Sequence, residues 1–214
     1  MHYLVGEYVV ESELAAKPIS QTNKKILDFI NALPRESRVL DYGCGKLRYS
    51  LPLANKVSRV VAIDSTFQVD KIQKIGAFHT SPRMYNKDNL FVYDLDEDEW
   101  KKYTYDVVLC TNVLSAIPLN EYRFQVLQNA YDVLCKKGFL MISVQYRNSY
   151  FSSYKKREDV IHYNDGWLIK RSYNKYAFYG IPPAETIISL CYKVGFRHCE
   201  IALEDGTYFI KAIK

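Results

Sequence analysis

Asp41, Gly43 and Gly45 lie in the run Asp41-Tyr42-Gly43-Cys44-Gly45. Two glycines one residue apart let a backbone turn tightly and come close to a nucleotide-like ligand, because no Cβ holds the ligand off. The Asp41 carboxylate selects among such ligands: it repels a pyrophosphate and attracts an ammonium. Two more acids extend the set. Asp64 follows Gly45 by 19 residues, and a carboxylate there can accept hydrogen bonds from both hydroxyls of a ribose. Asp94 can accept from the exocyclic amine of adenine, and Leu95 after it can wall the ring. Together the three acids suit an adenosine that carries a cationic tail. A dinucleotide suits them less, since Arg48 stands where a third glycine would pack the helix closely and Asp41 opposes a pyrophosphate.

Acids so placed need strand ends to hold them. Apolar runs predict strands over Arg38–Leu40, Arg59–Ile63, Leu90–Tyr93, Asp106–Cys110 and Phe139–Val144. Helices alternate with them. Ile26, Phe29, Ile30 and Leu33 recur at helical spacing before Pro34, Arg48–Ala54 can start a helix, and Phe124, Leu127, Tyr131 and Leu134 share one face. This alternation implies βαβ units, a parallel sheet, and loops gathered along the edge where ligands bind. After a helix over Pro183–Val194, Cys199–Leu203 and Tyr208–Ile213 flank Glu204-Asp205-Gly206-Thr207, a hairpin with an Asp-Gly turn.

At this point the chain resembles the class I S-adenosylmethionine-dependent methyltransferases over almost its whole length. The resemblance is carried by the Asp-x-Gly-x-Gly turn at Asp41–Gly45, Asp64 after the second strand and Asp94 after the third. Tyr105-Asp106-Val107-Val108, Lys137-Gly138-Phe139-Leu140 and the terminal hairpin add to it. It implies an α/β fold: a Rossmann-like three-layer sandwich on a mostly parallel seven-stranded sheet with an antiparallel C-terminal hairpin. It also implies S-adenosyl-L-methionine as cofactor and S-adenosyl-L-homocysteine as product, with no metal expected. Gly43 and Gly45 would let the methionine part lie against the backbone, and Asp41 would act near its ammonium. Thr111 and Asn112 would lie beside the methyl group.

The acceptor is less legible. Methyl transfer from a sulfonium is an in-line displacement in which the protein mainly aligns the nucleophile and removes water, so no universal catalytic residue marks it. The Asn/Asp-Pro-Pro-Tyr motif of exocyclic-amine methylation is replaced by Cys110-Thr111-Asn112-Val113-Leu114, and Cys110 after Leu109 reads as a structural cysteine rather than a nucleophile. His2, His79, His162 and His198 are dispersed along the chain, which argues against a metal-assisted mechanism. The stretch 146–182 is a basic, tyrosine-rich insertion or lid within a single domain spanning 1–214, and it holds the substrate-contact candidates. Arg147, Lys155, Lys156 and Arg157 can hold phosphates, and Trp167 beside the Asn164-Asp165-Gly166 turn can stack. Tyr146, His162, Tyr163 and Asp165 are candidate bases or orienting groups. Thr111–Pro118 with Arg123 after it, and Gly45–Leu51, faintly resemble methyltransferases encoded beside DNA-modification systems.

Composition bounds these readings. The chain has 214 residues, 48% of them apolar, enough for one globular core. A net charge of +5 permits nucleic acid without requiring it. Five scattered cysteines without a Cys-x-x-Cys pair argue against disulfides and zinc, and no signal-peptide pattern opens the chain, so a cytoplasmic protein with no membrane partner is expected. The expected function is methyl transfer to an oxygen or nitrogen of a small molecule or a nucleic-acid component. The alternative is a non-catalytic subunit of a DNA or RNA modification system that binds the cofactor or a partner.

Overall fold

The structure is a computed structural model and describes residues 2–15, 17, 20–85, 87–146, 153–154 and 156–214. In chain order its strands are β1 (His2–Val5), β2 (Tyr8–Glu11), β3 (Arg38–Tyr42), β4 (Arg59–Asp64), β5 (Gln73–Ile75), β6 (Phe78–Thr80) and β7 (Leu90–Asp94). They continue with β8 (Tyr105–Thr111), β9 (Leu134–Gln145), β10 (Val160–Tyr163), β11 (Gly166–Ser172), β12 (Lys175–Gly180), β13 (His198–Glu204) and β14 (Thr207–Ile213). The helices are α1 (Lys24–Ala32), α2 (Ser50–Lys56), α3 (Thr66–Asp70), α4 (Asn120–Val133) and α5 (Ala184–Val194).

A mostly parallel seven-stranded sheet runs in the order β13-β14-β9-β8-β3-β4-β7. Each strand expected from an apolar run is present, and most extend a residue or two beyond it. The chain divides into two compact units, one of Ala16–Leu109 with Val133–Gly138 and one of Met1–Ala15, Cys110–Asp132 and Phe139–Lys214.

In the first unit β3 pairs in parallel with β4 and β8, and β4 with β7. Val39, Leu40, Val60 to Ile63 and Val107 to Leu109 are almost wholly buried. Such uninterrupted apolar strands belong to a sheet covered on both faces. α1 starts where the Asn23 side chain accepts from the Lys25 and Ile26 N–H groups (2.8 and 3.4 Å), which satisfies donors the helix leaves open. It buries Ile26 and Ile30, as the spacing predicts.

In the second unit β13 and β14 form the expected hairpin. Glu204 pairs with Thr207, and both turn residues, Asp205 (φ 49°) and Gly206 (φ 68°), take positive φ, the requirement of a tight hairpin turn. The same unit holds a five-stranded sheet in the order β1-β2-β12-β11-β10. Within the stretch 146–182, residues 160–180 supply three of its strands. The N-terminal hairpin supplies the other two, and Lys175 and Tyr176 of β12 pair in parallel with Val9 and Val10 of β2. Arg147 and Lys155 lie outside the described residues.

One element differs from expectation. The buried positions of α4 include Arg123, Val126, Leu127, Ala130 and Val133, while Phe124 and Tyr131 are only half-buried and Leu134 already belongs to β9. Reading α4 by its largest side chains missed this stripe because its first buried member is charged. Trp167, beside the Asn164-Asp165 turn, is 6% exposed and packs into the five-stranded sheet.

Candidate active site

The glycine turn is built on the ends of β3 and β4. Gly43 (φ 78°) and Gly45 (φ 55°) occupy conformations that side chains disfavour. The Gly43 and Cys44 N–H groups both donate to the Ile63 carbonyl (2.8 and 3.0 Å). Gly45 N–H donates to Asp64 Oδ2, and Ser65 N–H donates to Asp64 Oδ1, each at 2.8 Å. Asp64 therefore fixes the turn while standing half-buried at the strand end. A carboxylate has about four acceptor positions, enough for backbone donors and ribose hydroxyls together. Gln68 closes the loop from the other side, its Nε2 donating to the Gly45 carbonyl (2.9 Å). Leu47, fully buried, also takes positive φ (60°), and a non-glycine residue held there marks a loop fixed by its surroundings.

Asp41 is 1% exposed, and the Ser50 hydroxyl donates to its Oδ2 at 2.5 Å. Burial pushes its carboxyl up to about 6, against the Ser50 hydrogen bond and the nearby Arg48 charge, which favour the ionised form. A buried carboxylate in this state gains from a cation brought to it, and that is the fit expected for an ammonium-bearing cofactor. Arg48 is itself held, its Nη1 donating to the Gln21 carbonyl (2.9 Å).

Asp94 lies directly opposite Asp64 in the β4–β7 register. Its carboxylate accepts from the Thr66 hydroxyl and from Asp96 N–H (2.9 Å), and the Leu95 N–H is held by the Asp64 carbonyl (2.8 Å). The first unit thus brings Asp41, Gly43, Gly45, Asp64, Asp94 and Leu95 to the ends of three adjacent strands, with Asp64 and Asp94 facing each other.

In the second unit Thr111 ends β8 and is buried. Asn112 follows with φ 59°, its N–H donating to the Ser143 carbonyl (2.9 Å). A pocket of about 640 Å³ is lined by Tyr154, Arg157, Val160, His162, Asp165, Trp167, Ile181 and Pro183. Four of these, Arg157, His162, Asp165 and Trp167, are residues expected from the sequence to contact the substrate or act as base or orienting groups. His162 stands opposite Trp167 in the β10–β11 register with its ring edge-on to the indole, centroids 5.9 Å apart. Arg157 is paired with Asp159. Tyr146 is not among the lining residues; it packs on Tyr208 with centroids 4.6 Å apart. Lys156 is exposed.

Arg123 was not expected in this role. It is 1% exposed and its guanidinium forks onto Asp165, while Nε donates to the Leu114 and Ile117 carbonyls (3.1 and 3.0 Å). Asp165 is therefore an ion-pair partner at the pocket wall. The signal that could have found this pair is the placement of an arginine three residues before Val126 on the apolar stripe of α4.

Near the N-terminus His2 Nε2 lies 3.2 Å from Glu13 Oε1 and 3.8 Å from Glu11 Oε1, and Lys175 Nζ meets Glu11 Oε1 at 2.7 Å. The Lys175–Glu11 ion pair ties β12 to β2, and His2 of β1 makes polar contacts with the same acids. All five cysteines are free thiols. No helix among the described residues is long and apolar enough to cross a membrane.

Comparison with known proteins agrees with this architecture. A methyltransferase domain model matches residues 15–200. A protein of Escherichia coli (strain K12), YmfD, whose function is uncharacterized, is 30% identical over 215 residues, covering 98% of this chain and 95% of that one. The PH0226 protein of Pyrococcus horikoshii superposes with a TM-score of 0.67 at 17% identity, covering 93% of this chain and 94% of that chain. Magnesium protoporphyrin IX methyltransferase of Synechocystis, solved with bound S-adenosylhomocysteine, gives 0.55 at 18% identity over 89% of this chain and 81% of that one. An O-methyltransferase family protein of Burkholderia thailandensis gives 0.63 at 13% identity over 89% of this chain, which spans 55% of its length. With the strand order, the glycine turn and a family match over most of its length, the chain belongs to the methyltransferase domain family, within the class I S-adenosylmethionine-dependent methyltransferases.

Proposed function

We propose that this chain transfers the methyl group of S-adenosylmethionine to an oxygen or nitrogen of a small, flat molecule. The observation that carries the acceptor class is the pocket walled by Tyr154, His162 and Trp167. Its volume of about 640 Å³ lies in the range of small-molecule sites, roughly 300–1,000 Å³. Aromatic walls favour a planar guest, and Arg157 and Asp165 at the same wall offer polar recognition.

The cofactor supplies an activated methyl group on sulfur. The chain's own residues orient it: Asp64 is placed to accept from the ribose, Asp41 to attract the ammonium, and Gly43 and Gly45 to let the tail approach the backbone. Among the pocket's titratable groups Asp165 is held by Arg123 and Arg157 by Asp159. His162, whose imidazole lines the same pocket, is then the group placed to take a proton from the acceptor.

A second reading, a nucleic-acid acceptor, is favoured by the β11–β12 tip, where Lys170 and Arg171 are exposed and Tyr173 is 93% exposed. Transfer of tritiated methyl from S-adenosylmethionine into fractionated cell extract decides between the readings. Label in the small-molecule fraction supports the proposal. Label confined to nucleic acid, with activity falling steeply as salt rises, overturns the acceptor class. Cofactor binding without transfer to any fraction overturns catalysis and leaves a cofactor-binding subunit.

A further inference from the structure

Arg48 follows the glycine turn and is 9% exposed. A guanidinium is rich in N–H donors and cannot shed its charge. One donor of Arg48 reaches the Gln21 carbonyl at 2.9 Å, and the group lies over the Tyr49 ring, 4.6 Å from its centroid. Among the described residues no carboxylate forms an ion pair with it. Asn23 N–H donates to the Tyr49 hydroxyl at 3.0 Å, so the segment entering α1 is tied to Arg48 and Tyr49 at two points. Lys17 comes just before that segment and is half-buried. It has no hydrogen bond or ion pair among the described residues. Burial, and then repulsion from the Arg48 charge, hold its ammonium below the usual lysine range. Two partly desolvated cations kept side by side are costly unless an anion joins them.

We infer that Lys17 and Arg48 hold the carboxylate of the methionine tail of S-adenosylmethionine. The inference rests on the reading that Asp41 receives the ammonium of the same tail. The ammonium and the carboxylate of an α-amino acid share one carbon, so a site for the tail needs an anion and a cation next to each other. Asp41 and Arg48 meet that need. They stand on either side of the glycine turn in the chain, and the Arg48 charge favours the ionised form of Asp41. With Lys17 they belong to the same compact unit. The three charges also select among ligands. A phosphate would satisfy the two cations and be repelled by Asp41. A simple amine would satisfy Asp41 and be repelled by the cations. A zwitterion is complementary to all three. Gln21 and Tyr49 hold the Arg48 guanidinium in place beforehand, so its remaining donors meet a carboxylate with little further ordering.

The test is calorimetry on the full chain with two probes, S-adenosylmethionine and its decarboxylated form. The second keeps the sulfonium and the ammonium and lacks the carboxylate. The native protein should bind S-adenosylmethionine about tenfold or more tightly than the decarboxylated form, the effect of a hydrogen-bonded charge pair. Lys17→Met should lose most of that preference by weakening S-adenosylmethionine alone. Arg48→Gln keeps a donor for the Gln21 carbonyl while removing the charge, and should do the same. Equal affinity of the native protein for the two probes overturns the inference and leaves cofactor binding intact. So does a Lys17→Met variant that keeps the native preference, or one that weakens both probes equally, which would make the lysine a purely structural residue. A native protein that binds neither probe overturns the cofactor reading itself, and the inference with it.

Discussion

The guanidinium of Arg123 grips the carboxylate of Asp165 with two parallel hydrogen bonds, Nη2 donating to Oδ1 at 2.7 Å and Nη1 donating to Oδ2. The arginine lies on α4 and the aspartate in the β10–β11 turn, so the pair ties a helix to the hairpin that walls the pocket. Ile181 N–H donates to the Asp165 carbonyl at 2.8 Å and adds the end of β12 to the same knot.

This relationship predicts an asymmetry between single and double variants. Removing one partner leaves a charge with no counterion in a dry setting, which costs about 3–5 kcal/mol. Arg123→Met and Asp165→Leu should each fall in that range by urea denaturation. The double variant should lose clearly less than the sum, because both charges leave together. Additive losses would show that the fork carries no coupling.

The knot also shows where the sequence stops being legible. The strands of the parallel sheet announce themselves because Val39-Leu40, Val60 to Ile63 and Val107 to Leu109 are continuous apolar runs, and Asp64 and Asp94 sit at their ends. The five-stranded sheet does not. Its middle depends on Tyr176 of β12 pairing with Val10 of β2, a contact between distant segments that no local pattern encodes. The stretch reads as a tyrosine-rich insertion or lid without showing what its rings meet; Tyr176 packs on Tyr8 with centroids 4.9 Å apart. Asp165 reads as a candidate base or orienting group for the same reason, since its ion-pair partner lies 42 residues away in the chain.

Asp64 should govern cofactor binding through two contributions. Asp64→Ala removes the ribose acceptor and also frees the Gly45 N–H that Asp64 holds at 2.8 Å. Hydrogen bonds to a charged group contribute about 1.5–3 kcal/mol each, so calorimetry should show S-adenosylmethionine affinity falling at least tenfold. Asp64→Asn keeps one acceptor oxygen and should fall between the two. Unchanged affinity in the alanine variant would remove Asp64 from the cofactor site.

Gly166 should tolerate no side chain. A Cβ there would lie 2.3 Å from the Tyr179 carbonyl oxygen and 2.7 Å from the Gly180 Cα. Both are backbone atoms that cannot move without breaking the β11–β12 register. Gly166→Ala should therefore destabilise the protein by roughly 3 kcal/mol. The fluorescence of neighbouring Trp167 should shift as its packing loosens. A variant with native stability and an unshifted tryptophan would contradict the close strand contact.

Asp41 should couple cofactor binding to pH. Its carboxyl sits at about 6 in the folded chain because burial disfavours the charge, against an ordinary carboxylate value near 3.9. Between those values the folded state binds more protons than the unfolded state, so the contribution of this group to stability falls as pH rises from about 4 to 6. Asp41→Asn abolishes that loss and should stabilise the free protein at neutral pH by on the order of 1–3 kcal/mol, seen as a higher denaturation midpoint. Binding should move the other way. The ammonium of the cofactor prefers the ionised carboxylate, so wild-type affinity should rise by up to about tenfold per pH unit below pH 6 and level off above it. In Asp41→Asn the affinity should be weaker at neutral pH and nearly flat across this range. A wild-type affinity independent of pH from 5 to 7 would mean that the buried charge does not meet the cation. A protein stabilised by the loss of Asp41 yet impaired in binding would show that the carboxylate is retained for its ligand rather than for the fold.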